Sequence, residues 1–234
     1  MLAFAVLLGA APGDAVAAYH RAIAVYGREM RGVIVYRRHV EFEMHIGPTS
    51  RQDRNDAEII VVDGLYERLR FVAMFRSGRP LPAPAIAGEE RDANDELRLG
   101  RGFFKEPYDA HYADDYHISG VKCDQCAAGE SAVAFESDVH DAQHGAGMLI
   151  VDAAGHVTSE TYTPYVLHEH ATSGTIVETS EEAMSGLWAV SHIDERYKGR
   201  VAMITGSAVL QTTRDHYRRF TRLDEAIEAV GVSK

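Results

Sequence analysis

Cys123 and Cys126 are the only cysteines in the chain, separated by two residues in the stretch KCDQC. A pair at this spacing can serve as a redox centre, as half of a zinc site, or as a short disulfide staple. The redox use needs a helix N-terminus to lower the thiol pKa. A four-cysteine zinc site needs a second pair, which is absent. The pair falls at the tip of an expected hairpin, so a disulfide staple is the expectation, with the redox and metal uses still open.

The twelve histidines are the other candidate chemistry. His140 and His144 lie beside Asp138 and Asp141. His168 and His170 flank Glu169 and would share one face of a strand. His111, Asp114, Asp115 and His117 form a third group. Zinc wants three or four converging ligands, and each group alone holds part of that set. A metal site would need at least three of these six histidines to meet in space. Scattered, solvated histidines are the expectation, and no metal is assigned. No nucleophile elbow, zinc-protease helix, phosphate loop or dinucleotide fingerprint occurs. No carboxylate pair stands out for acid–base work. The reading is of a non-enzyme with no catalytic residue and no cofactor.

The elements that would position these residues are mostly strands. The chain has 234 residues, 46% of them hydrophobic, which fits one domain with a real core. Its 24 Lys+Arg against 35 Asp+Glu give a net charge of −11. That balance argues against a nucleic-acid partner, because phosphate binding needs a basic face. Leu2 to Ala11 is an apolar run broken only by Gly9, followed by Pro12, Gly13 and the small residues Ala15-Val16-Ala17-Ala18. This is the hydrophobic region and cleavage pattern of a secretory signal peptide, without the positive n-region. The competing reading is the apolar start of a buried first helix. We expect a signal peptide over 1–17, a single mature domain over 18–234, and a periplasmic or secreted location. The run is too short to cross a membrane, and no other stretch is long enough, so no transmembrane span is expected. An exported chain meets an oxidising compartment, which favours the disulfide.

Asp14 to Met30 reads as a helix. In GVIVYRRHVEFEMHIG the period changes to two, with Ile34, Tyr36, Val40, Phe42, Met44 and Ile46 apolar, so a long strand follows. Gly47-Pro48 ends it, and Thr49 to Asp56 reads as a polar turn. Asp63-Gly64 is a strong hairpin signal between two strand-like runs. The spacing puts Leu65, Leu69, Phe71, Ala73 and Phe75 on one face. Ser77 to Pro107, rich in proline, glycine and charge, reads as a loop insertion with a short helix over Glu89 to Leu99, and its length fits a lid. Strands return from Tyr116, and a polar helix over Thr221 to Val230 closes the chain. The plan is mainly β (α+β): about eight to ten antiparallel strands at hairpin spacing.

The order of these blocks resembles the LolA-like superfamily, which includes periplasmic lipoprotein carriers and RseB-type sensors. The resemblance rests on the helix running into GVIVYRRHVEFEM, the hairpin VVDGLYERLRF, the strand-turn-strand GMLIVDAAGHVTSETYTP, the strand opening Gly186-Leu187-Trp188, and the closing DHYRRF. It covers about Ala15 to Phe220. It implies an incomplete, strongly curved antiparallel β-barrel with helices plugging its concave face. It also implies a carrier or binding protein for a lipid, a lipoprotein acyl chain or another hydrophobic ligand, in the sphere of outer-membrane biogenesis. In such a barrel Phe42, Met44, Leu65, Leu69, Phe71, Phe75, Phe135 and Trp188 would line a continuous apolar cavity beneath the 77–107 segment. The alternative is an envelope sensor or scaffold that contacts a protein partner, its cavity collapsed and filled by side chains.

Overall fold

A computed structural model describes residues 12–123, 126–167, 169–201 and 204–231. Helix α1 spans Pro12–Glu29. Its Ala15, Ala18, Tyr19 and Ala22 fall on one stripe and are all buried, the spacing of a single helical face. Small alanines let the helix lie close against the sheet. The strands are β1 Val33–Ile46, β2 Thr49–Val62, β3 Leu65–Arg76, the two-residue β4 Arg79–Pro80, β5 Tyr116–Val121, β6 Ser131–Ser137, β7 Gly145–Val151, β8 Val157–Pro164, β9 Ala171–Met184, β10 Leu187–Val201 and β11 Ile204–Phe220. Helix α2 is Ala83–Arg98 and α3 is Leu223–Val230.

All eleven strands form one antiparallel sheet in the order β4-β3-β2-β1-β11-β10-β9-β8-β7-β6-β5. The sheet is strongly curved and does not close, which makes it an incomplete barrel. Almost every link is a hairpin between neighbours. At Asp63 (φ 50°) and Gly64 (φ 89°) the chain takes two left-handed residues in succession, the backbone that suits a tight two-residue hairpin. Asp63 also accepts the Gly32 amide at 2.7 Å, fixing the end of α1 to the hairpin.

The link from β4 to β5 is the exception. These strands are the two free edges of the sheet, so residues 81–115 must travel from one edge to the other. They do so across the inner face, and this crossing makes the functional site. Its first part, α2, protects the β3 edge. Asn94 accepts the Leu69 amide and donates to the Leu69 carbonyl, both at 2.8 Å, and Glu90 accepts the Phe71 amide. An exposed edge would otherwise offer these groups to another chain.

Two clusters fill the inner face. One packs α1 on Val133, Phe135, Leu149, Val151, Tyr162 and Ile176. The other packs Ala93 and Leu97 of α2 on Tyr36, Ala57, Ile59 and Leu69. In β7, a side chain at Gly147 would collide with Thr161 and with the Phe135 ring, so glycine is needed there. The closing helix α3 packs on Val33, Val35 and Ile60. Strand alternation puts those residues on the outer face, so only α1, α2 and the crossing segment plug the barrel.

The sequence expectation needs correction at several points. Thr49 to Asp56 is no turn but the first half of β2, paired residue for residue with the far end of β1 from Ile46↔Thr49 onward. The helix in the insertion begins at Ala83, not Glu89, and the strands among the described residues number eleven. Two register shifts in the β2–β3 pairing, at Asp56/Ala57 and Ile60/Val61, are β-bulges. Each bulge reverses the side-chain alternation. Leu69 and Phe71 therefore face inward, whereas Leu65 and Phe75 face outward. Of the expected signal segment, residues 1–11 lie outside the described residues. Residues 12–17 form the first turns of α1, with Ala15 1% exposed.

Candidate functional site

Past α2 the crossing chain has no regular structure until a short 3-10 turn at Ala113–Asp115. We call residues 101–112 the plug. Aromatic rings hold it. Phe104 stacks on Tyr162 of β8 with ring centroids 3.8 Å apart, Phe103 lies 4.8 Å from Tyr66, and Tyr108 meets the α1 residue Tyr26 edge-on at 5.1 Å. Hydrogen bonds tie its backbone to α1, to β5 and to the loop between β6 and β7. Tyr19 donates to the Pro107 carbonyl at 2.7 Å and Tyr116 to the Lys105 carbonyl, and the Lys105 amide donates to the Gln143 carbonyl at 2.9 Å.

Beneath the plug remains a cavity of about 60 Å³, walled by Tyr26, Tyr36, Tyr66, Phe103, Trp188 and Arg214 among others. That is room for a few waters and not for an acyl chain. Trp188, the only tryptophan, stacks on His156 at 4.6 Å and donates its indole N–H to the Val157 carbonyl at 3.1 Å.

Beside this cavity lies a group of buried acids. Glu106 of the plug, Glu160 of β8 and Glu178 of β9 each offer a carboxylate oxygen, all within 4.8 Å of one another. Glu160 is 1% exposed and Glu178 3%. Glu106 is half-buried, with Oε2 enclosed. Tyr162 donates to Glu178 Oε1 at 3.2 Å. Both oxygens of Glu160, Oε2 of Glu106 and Oε2 of Glu178 have no hydrogen-bond partner. Burial pushes Glu160 well above the usual carboxylate range, and repulsion from Glu106 and Glu178 adds to it. Glu106 rises through burial first and then repulsion from Glu178, with a hydrogen bond to Glu160 across a shared proton and then Arg214 pulling against them. Glu178 also rises through burial, opposed by Arg214 and the Tyr162 hydroxyl. Burial raises the phenols of Tyr66, Tyr108 and Tyr162 as well, so they stay neutral donors.

The expected lining residues do not form one surface. Phe135 lies in the core under α1, and Trp188 is on the cavity wall. Leu69 and Phe71 sit under α2. Phe42 and Met44 continue the inner face of β1 beyond the helices. Leu65 is exposed on the outer face. Phe75 lies under the Arg54 guanidinium at 4.3 Å, beside an open hollow of about 420 Å³ that Glu41, Glu43 and Gln211 also border.

Among the described residues the histidines do not converge. His111 lies 2.7 Å from Asp109, His117 2.7 Å from Asp138, and His170 3.2 Å from Glu169. His140 stacks on Tyr165 at 4.2 Å. His144 is buried between Asp141 at 2.7 Å and Asp115 at 3.3 Å. His168 lies outside the described residues. Cys123 and Cys126 form a disulfide between β5 and β6, with Cα atoms 5.4 Å apart.

Sequence reasoning passed over the three glutamates. Glu160 alternates in phase with Tyr162, and Glu178 with Ile176, so a charged residue stood on each strand's apolar face. That is a readable signal. Glu106 carried none, because its place depends on an irregular crossing.

No family model matches the chain, and no curated protein matches it. Among solved structures it is similar to a DUF1329 family protein from Desulfovibrio piger, at 12% identity over 91% of this chain and 96% of that one, with a TM-score of 0.43. It is similar to a domain from Vibrio parahaemolyticus assigned to outer-membrane lipoprotein sorting, at 13% identity over 91% and 97%, with a TM-score of 0.42. A third likeness is to the LolA superfamily protein NE2245 from Nitrosomonas europaea, at 10% identity over 92% and 97%, with a TM-score of 0.40. The fold of this chain is an open, strongly curved antiparallel sheet plugged on its inner face.

Proposed function

We propose that the protein is an exported, non-enzymatic carrier or binding protein. It takes the hydrocarbon part of a lipid, a lipoprotein acyl chain or a related amphiphile on the inner face of its incomplete barrel. The observation that carries this reading is the plug. An irregular segment seats Phe103 and Phe104 on inner-face aromatics, where a ligand's apolar part would otherwise lie. Moving it aside would uncover an aromatic surface for the ligand, each buried methylene contributing about 0.8 kcal/mol. The disulfide fits an oxidising compartment, and no helix among the described residues is long and apolar enough to cross a membrane. Export by a leader over 1–17 belongs to the same reading, and the intact mass of the secreted protein tests it.

Trp188 gives the binding test. As the sole tryptophan on the cavity wall it can transfer energy to a dansyl-labelled fatty acid bound beside it. Saturable transfer is expected. Phe104→Ala weakens the closed plug and should tighten apparent binding several-fold, because more of the protein is then competent to bind. Absence of saturable transfer in both proteins overturns the reading. The small residual cavity favours a second one, an envelope sensor or scaffold whose filled barrel contacts a protein partner. That reading expects no lipid binding, and it expects Phe104→Ala to leave the dansyl signal flat.

A further inference from the structure

Acidic side chains gathered on a surface are each solvated and need no further ligand. Glu160 and Glu178 are in a different position, 1% and 3% exposed. With the carboxyls ionised, neither oxygen of Glu160 meets a donor, and one oxygen each of Glu106 and Glu178 is likewise unpartnered; a proton held between Glu106 and Glu160 is the alternative to an ion. Buried polar atoms are almost always paired, and an unpaired one calls for an explanation such as a missing ion. We propose that Glu106, Glu160 and Glu178 bind a hard divalent cation, calcium first among them, and that this cation fastens the plug to β8 and β9.

The donor set is all oxygen, with no histidine or thiolate in the group. That chemistry selects calcium, magnesium or manganese over zinc or copper. Calcium holds its oxygens at about 2.3–2.6 Å, so two on opposite sides of one ion lie about 5 Å apart. Ligand atoms mutually within 4.8 Å fit around a single such ion. Calcium takes 6–8 oxygens, and carboxylates binding through both oxygens, with water from the neighbouring cavity, could complete that number.

Charge points the same way. The three carboxylates face Arg214, which Glu195 shares with them, so negative charge is in excess and a divalent cation offsets it. Of the other acids nearby, Glu195 has Arg38 and Arg214 beside it, and Asp109 accepts the His111 amide at 2.9 Å. Glu106 borders the cavity. Glu106 belongs to the plug, whereas Glu160 and Glu178 belong to the barrel wall. A bound ion would therefore join the crossing segment to the barrel wall. The site stands on this geometry alone and does not depend on the proposed hydrophobic ligand.

The test uses the full chain, stripped with a chelator and titrated with terbium as a luminescent stand-in for calcium. The neighbouring tyrosines, Tyr162 above all, would sensitise the terbium emission. Saturable luminescence displaced by calcium is expected, together with a melting temperature that climbs with the logarithm of calcium concentration. Glu160→Gln and Glu178→Gln should each weaken binding at least tenfold while still melting cooperatively. Glu106→Gln, at the half-buried plug position, should do the same with the least risk to folding. The proposal is overturned if no ion binds saturably up to millimolar concentration, or if all three variants bind as the parent does. It is equally overturned if the stripped protein ignores every ion and is stabilised only by acid, since the trio then holds protons.

Discussion

Asp141 and Asp152 at the ends of strands, and Glu160 and Glu178 inside the barrel, are carboxylates that burial pushes in the same direction. At the two aspartates hydrogen bonds reverse the push. Asp152 accepts the Gly155 and His156 amides at 2.8 Å each, with the His156 ring at 3.0 Å. Asp141 has the His144 ring at 2.7 Å and the Gln143 amide at 2.8 Å. Both carboxyls end below their ordinary range. Inside the barrel burial dominates; a single tyrosine donates to Glu178, and Glu160 has only the Glu106 carboxyl to share a proton with, so both stay high. Depth and donors act together here: the aspartate side chains are 42% and 27% exposed and meet backbone and histidine donors, whereas the glutamates are almost fully buried and largely lack them.

The sharpest way to break this contrast is to remove one member of each set. Glu160→Leu replaces an unpaired buried acid with an apolar side chain of similar size. In cation-free buffer near neutral pH it should raise the unfolding free energy by about 1–4 kcal/mol, as replacement of buried charges by hydrophobic residues often does. His144→Ala leaves Asp141 and Asp115 without their shared ring and opens a hole at a position 1% exposed. It should lower stability by about 1–3 kcal/mol. Urea unfolding of both variants beside the parent reads the two signs. Destabilisation by Glu160→Leu would mean that the carboxylate has a stabilising partner, and the two regions would no longer differ.

The same contrast appears as opposite pH dependences. The interior glutamates have folded pKa values above the ordinary 4.5. The folded state therefore keeps protons that the unfolded chain has released. Their contribution is fully present below about 4.5 and is lost as pH rises through the raised values. Asp141 and Asp152 have folded values below the ordinary 3.8. Their contribution is present above that value and is lost as pH falls through the depressed ones. The chelated protein should therefore become more stable from pH 8 towards pH 5 and lose stability again in stronger acid. Urea midpoints across that range check it, with Glu160→Gln expected to flatten the neutral limb and Asp152→Asn the acid limb.

Much of this arrangement was legible in the sequence where local chemistry decides the outcome. Asp63-Gly64 turns as its residue types require, the period-two run gives β1, and the cysteine pair closes beside its hairpin. Legibility failed where distant partners decide. Thr49 to Asp56 looks like a turn because it is polar throughout. It is a strand because it pairs with the end of β1 that projects past the helices, where water reaches it. Helix α2 has no fully buried residue, so no clear apolar stripe announced it, and Pro82 and Pro84 at its start hid a beginning that proline tolerates. The bulges that turn Leu65 and Phe75 outward depend on the β2 register, which alternation in β3 alone does not reveal. Glu160 and Glu178 were readable one at a time, but their meeting with Glu106 follows from the route of the crossing chain.

The smallest expected effect isolates burial from geometry. His117 and Asp138 lie 2.7 Å apart, the same separation as His144 and Asp141. The first pair joins side chains 74% and 76% exposed, whereas the His144 side chain is 1% exposed. Exposed ion pairs contribute little, because water solvates each partner almost as well as the other does and salt screens the attraction. His117→Ala should leave the urea midpoint unchanged within error at pH 6 and pH 8, and added salt should make no difference. A shift as large as that of His144→Ala would show that the 2.7 Å contact itself carries the stability, and the contrast between interior and surface would then have to be drawn on hydrogen-bond geometry instead of burial.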